Sequence, residues 1–108
     1  MTNTLQFFKC LADDTRLKSL LLMRHHGELC VCDLTSALQL SQPKVSRHLA
    51  ELKRCELVKD ERRGKWVYYR LNPSLPDWAL EIIYQALSSD PDYLEMAQER
   101  LKTGETCC

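Results

Sequence analysis

The chain has 108 residues, 44% hydrophobic and 28% charged, which suits a single globular domain with a limited core. No apolar run reaches the roughly 18 residues of a membrane span, and MTNTLQFFKC lacks a basic segment followed by an apolar one. Neither a membrane anchor nor a signal peptide is expected, and the cytoplasm is the expected compartment. Net charge is zero, yet residues 41–70 hold nine Lys/Arg against four Asp/Glu, while residues 71–108 hold two against seven. The basic middle suits a polyanion, or is simply a solvated charged surface.

In chain order, TLQFFKCLA carries Leu5, Phe8 and Leu11 at helical spacing and predicts a short first helix. Asp13 or Asp14 is placed to cap a second helix, DTRLKSLLLMRHH, with Leu17, Leu20 and Leu21 facing inward and Gly27 ending it. His25 and His26 fall at its C-terminus, where the helix dipole favours histidine. A third helix is expected over roughly Val31 to Leu40, with Leu34 and Leu38 inward. Ser41 caps a fourth, QPKVSRHLAELKRC, whose first turn tolerates Pro43. Its stripe Val45, Leu49 and Leu52 recurs at i, i+4 and i+7, leaving Lys44, Arg47 and His48 off the core face.

The period then changes. Val67, Tyr69 and Leu71 alternate with Trp66, Tyr68 and Arg70, as in a strand, and Gly64 permits a turn after LVKDE, so a β-hairpin is predicted. Pro76 starts a long helix with Trp78, Ile82, Ile83 and Ala86 on one face, and Asp90-Pro91 restarts it to about Lys102. The expected organisation is one domain over residues 1–102 and a loose cysteine-bearing tail over 103–108. The terminal helices hold more apolar surface than one small core can use, which predicts a homodimer.

Two short helices joined by a tight turn and followed by a basic hairpin make a mainly α winged helix-turn-helix. The second helix of such a pair enters the major groove. Here it would present Gln42, Lys44, Ser46, Arg47 and His48. Gln suits adenine, Arg or Lys suit guanine, and a serine hydroxyl suits phosphate. The hairpin tip, with Arg62, Arg63 and Lys65, suits the DNA backbone or the minor groove. Trp66, Tyr68 and Tyr69 are expected to pack the wing against the body.

Six cysteines are many for this length, and in a reducing compartment they point to metal or redox chemistry. Cys10 and Cys55 are expected as ordinary core or surface residues. Cys30 and Cys32 are different. On a regular helix, residues i and i+2 lie about 200° apart. The pair chelates only if the first turn unwinds. A helix N-terminus favours the thiolate that binds soft ions.

ADDTRLKSLLL, GELCVCDL, SQPKVSRHLAELK and GKWVYYRL, in this order and over roughly residues 4 to 85, closely resemble the ArsR/SmtB family of winged-helix metalloregulators. Within it the chain is most similar to the arsenic-responsive repressors. The resemblance implies a homodimer that binds a promoter operator without a cofactor and leaves it when As(III) or Sb(III) binds Cys30 and Cys32. Many such repressors read CVCDLC, whereas this chain has Thr35 at the third position. Cys107, Cys108 or Cys10 would then supply the third ligand, with an external thiol or water as the fallback. A cadmium, lead, zinc or thiol-redox sensor on the same fold is the alternative. Zinc sensors place Asp and His ligands on the C-terminal helix, and no His follows His48 here. A thiol-disulfide oxidoreductase would be expected on a βαβ pattern, which the sequence lacks. No Ser-His-Asp set or phosphate loop points to an enzyme.

Overall fold

A computed structural model describes residues 3–102. Each early helix begins on the side chain its sequence offers. Helix α1 (Thr4–Leu11) starts where Asn3 Oδ1 accepts the Gln6 N–H at 2.8 Å. Helix α2 (Asp14–His26) starts at Asp13, whose Oδ2 accepts the Arg16 N–H at 3.0 Å, and ends at Gly27 with φ of 94°. That backbone angle favours glycine. Strand β1 (Glu28–Cys30) leads directly into helix α3 (Val31–Leu38), which closes on Gln39 in the left-handed region. Ser41 Oγ accepts the Lys44 N–H to open helix α4 (Gln42–Arg54).

Strands β2 (Val58–Arg63) and β3 (Trp66–Leu71) form the hairpin. Arg63 pairs with Trp66, so Gly64 and Lys65 make a two-residue turn, with Gly64 at φ of 64°. Helix α5 (Asp77–Ser89) follows Pro76. A 3₁₀ turn over Pro91–Leu94 then precedes helix α6 (Glu95–Lys102), so the expected restart at Pro91 begins as a tighter coil.

Among the described residues the sheet has three strands in the order β1-β3-β2, all antiparallel, where the sequence predicts only the hairpin. Three residues are too few to show a period of two, and β1 owes its extended form to Tyr68–Arg70, about 40 positions away. This strand places the CxC pair against the wing.

The core explains the helix faces. Val45, Leu49 and Leu52 of α4 are fully buried, with Leu34 of α3 and Leu57 after α4. Helix α2 buries Leu20, Leu21, Leu22 and Met23, more than one stripe, because α4, α5 and the sheet surround it. Leu17, expected inward, is only half-buried. Phe7 seats α1 by meeting Trp78 of α5 edge-on at 5.1 Å. Outside this contact, Leu5 stays 63% exposed and Trp78 40%, and Phe8 and Tyr84 are also exposed. The expected tail over 103–108, with Cys107 and Cys108, lies outside the described residues.

Candidate nucleic-acid interface and thiol site

The outer face of α4 follows from its buried stripe. With Val45, Leu49 and Leu52 fixed inward, Gln42, Lys44 and Arg47 project into solvent from the first two turns. Ser46 is half-buried and accepts from Gln42 Nε2 at 3.3 Å. His48 turns the other way. Its Nδ1 lies 3.2 Å from Arg16 Nη1 and 3.6 Å from Asp13 Oδ2, so the ring ties α4 to the start of α2. Burial pushes the Asp13 carboxyl up, but the Arg16 N–H and the His48 and Arg16 charges outweigh it and hold the group below its usual range.

The wing also divides its charges. Arg62 and Lys65 are exposed, and Lys65 Nζ lies 5.2 Å above the Trp66 ring. Arg63 instead grips both oxygens of Glu28, with Nη2 to Oε2 at 2.9 Å, and donates to Glu61 at 2.8 Å. Its guanidinium lies 4.7 Å over Tyr68. Arg63 therefore ties the hairpin to β1. Of the three wing aromatics expected to pack against the body, Tyr69 is half-buried against the core, while Trp66 lies under Lys65 and Tyr68 under Arg63.

The spacing of Cys30 and Cys32 is explained by where the helix begins. Cys30 is the N-cap of α3, with φ of −84° and ψ of 165°, and is also the last residue of β1, opposite Tyr68. The two cysteines straddle a strand-helix junction, so the separation of 200° does not apply. The Asp33 N–H donates to Cys30 Sγ at 3.4 Å, and Asp33 Oδ2 accepts the Cys30 N–H at 3.2 Å. This is a capping box with sulfur in place of a hydroxyl. Cys30 is 1% exposed and Cys32 half-buried. Both are disulfide-bonded in this structure, so capture of a soft ion requires their reduction.

Among the described residues, no three His, Cys, Asp or Glu side chains gather as a metal site. Thr35 turns its hydroxyl back to the Val31 carbonyl at 2.8 Å. Cys10 does not join Cys30 and Cys32 in a three-ligand cluster. On α1 it packs against the end of α4, donating to the Glu51 carbonyl at 3.9 Å with Cys55 as its neighbour. Burial, then Cys55, pushes its thiol up to about 12. His25 and His26 are exposed at the C-terminus of α2, where the dipole places them.

Glu28, Asp33 and Arg16 were not among the sequence-predicted site residues. Asp33 had a signal, since C-x-x-D is a capping box once Cys is admitted as a cap. The Glu28–Arg63 pair spans 35 positions and has no local signature.

Residues 13–60 match the model of the bacterial regulatory protein arsR family. The chain is 50% identical over 107 residues to the arsenic resistance transcriptional regulator ArsR1 of Pseudomonas putida, covering 93% of this chain and 84% of that protein. It is 57% identical over 82 residues to the arsenical resistance operon repressor of Escherichia coli K12, covering 76% and 70%. The crystal structure of the AntR antimony-specific transcriptional repressor superposes with a TM-score of 0.66 at 30% identity, covering 80% of this chain and 75% of that one.

Proposed function

The chain belongs to the arsR family of bacterial regulatory proteins, and from that premise we propose that it is a transcriptional repressor responsive to As(III) and Sb(III). It binds operator DNA in the cytoplasm as a homodimer and leaves it when the metalloid is held by Cys30 and Cys32. The observation that carries this reading is the position of Cys30, which at once caps the first helix of the DNA-reading pair and pairs with the wing strand. The naming of the relatives for arsenic and antimony supports the choice of ligand.

Gln42, Lys44, Ser46 and Arg47 meet the major groove, and Arg62 and Lys65 meet the backbone. His48 and Arg63 serve by holding α4 to α2 and the wing to β1. Exposed Leu5, Phe8 and Trp78 form the two-fold contact, which would set two recognition helices about 34 Å apart.

Two soft thiolates suit a soft trivalent ion, and no zinc-type ligand set accompanies them among the described residues. The third thiolate comes from Cys107 or Cys108. Helix α6 packs on α3, with Arg100 Nη1 donating to the Ala37 carbonyl at 2.9 Å. Five residues from Lys102 to Cys107 reach about 16–18 Å when extended, more than the roughly 12 Å length of α3.

A soft ion held by the reduced Cys30 and Cys32 would compete with the Asp33 N–H for the Cys30 sulfur, and so would act on the start of α3 and on the β1–β3 pairing. A coupling of about 1–3 kcal/mol would weaken DNA binding about 5–150-fold.

Operator release titrated with As(III) under reducing conditions tests the reading. Cys30→Ser keeps the cap, since serine is a preferred N-cap, but serine is a hard ligand. It should bind the operator normally and ignore As(III). Release at the wild-type As(III) concentration would refute the assignment. Parallel titrations with Sb(III), Cd(II), Pb(II), Zn(II) and peroxide separate the reading from other sensors.

A further inference from the structure

We propose that Cys10 and Cys55 form a second trivalent-metalloid site, made of two thiols and separate from Cys30 and Cys32. Cys10 lies on α1 and is 3% exposed. Cys55 caps the C-terminus of the recognition helix α4 and is 2% exposed. Neither is in a disulfide. Both side chains line the same cleft, and each thiol is near enough to perturb the other. The backbone fixes both: Cys10 donates through sulfur, and Cys55 through its N–H at 3.1 Å, to the same Glu51 carbonyl. Arg16 Nε holds the Cys10 carbonyl at 2.7 Å. Beside the sulfurs opens a cleft of about 540 Å³, with Asn3, Gln6, Lys9 and Arg54 on its walls. A small neutral solute such as arsenous acid can enter there.

The chemistry selects the ligand. Arsenous acid carries three hydroxyls on trivalent arsenic. Each thiol replaces one hydroxyl, an As–S bond forms as an As–O bond breaks, and the thiol proton leaves on the hydroxide as water. Two thiols release two waters, arsenic stays trivalent, and no electron moves. The product, two As–S bonds and one As–OH, is neutral and therefore tolerates burial. Zinc would need about four ligands, and no cluster of three candidate side chains stands here among the described residues. Peroxide oxidation would need a thiolate, which burial disfavours at Cys10. Occupancy would tie α1, with its exposed Leu5 and Phe8, to the end of α4.

The site shares no residue with the proposed sensor, so either can fail without the other. The test uses the full-length reduced chain with Cys30, Cys32, Cys107 and Cys108 all changed to Ser. Sodium arsenite is the probe in equilibrium dialysis, with arsenic and reactive thiols counted. The expected result is one arsenic per chain and protection of two thiols, with at least a tenfold loss of affinity on adding Cys55→Ser. A folded four-serine variant that binds no arsenite overturns the proposal. If that variant does not fold, the wild-type chain and Cys10→Ser decide. Two arsenics per wild-type chain falling to one supports the site, and an unchanged stoichiometry overturns it.

Discussion

The wing makes the sharpest test of how the structure assigns charge. Lys65 and Arg62 are open to solvent, whereas Arg63 is 45% exposed and meets Glu28 and Glu61 at 2.8–2.9 Å. Exposed ion pairs are individually weak, but two carboxylates act on Arg63 at once. Turning it to a phosphate would forfeit that. Each neutralised phosphate contributes about 0.9 to the slope of log affinity against log salt concentration. Lys65→Ala should therefore flatten the slope by about 0.9, equivalent to about 3.5-fold between roughly 50 and 200 mM salt. Arg63→Ala should flatten it by less than about half as much, though operator affinity falls as the wing loosens. The double substitution Glu28→Gln/Glu61→Gln should release Arg63 and steepen the slope by about 0.9. Fluorescence anisotropy with operator and unrelated duplexes across a salt series reads all three. Equal slope losses for Arg63→Ala and Lys65→Ala would refute the reasoning and show that Arg63 swings to the DNA in the complex.

Arg47→Ala should weaken operator binding by about 1–3 kcal/mol while leaving unrelated duplexes less affected, as electrophoretic titration would show. Asp13 has a folded pKa below its ordinary 3.8, so its contribution is present above pH 3.8 and is lost as pH falls through the lowered folded value. Asp13→Asn keeps an N-cap oxygen but removes the charge. It should cost about 0.3–1 kcal/mol above pH 5 and make stability less acid-sensitive below pH 4, measured by urea unfolding at several pH values. Sedimentation should find a dimer at micromolar concentration. Leu5→Glu with Trp78→Glu should give a folded monomer that binds the operator poorly, and a monomeric wild-type chain with full operator affinity would rule the interface out.

The helices were legible because their signals are local. Asp13 and Ser41 sit one residue before a helix, Gly27 follows one, and Val45, Leu49 and Leu52 repeat with the helical period, so each boundary is set within a few residues of chain. The exposed Gln42, Lys44 and Arg47 followed from the same stripe, because fixing the buried face of a helix fixes its outer face. The Cys30–Cys32 motif was equally visible, but its geometry was not: whether Cys30 opens a helix or ends a strand depends on its pairing with Tyr68. The same holds for His48, which local pattern places outward and Asp13 and Arg16 draw inward, and for Arg63, whose charge Glu28 takes. Cys10 and Cys55 read as separate core residues because 45 positions part them, until the fold sets both at the Glu51 carbonyl and on one cleft. Backbone propensity and side-chain period act over a few residues and are written in the chain. Strand partners, ion pairs and thiol contacts depend on which surfaces the core brings together, and only the packed molecule determines those.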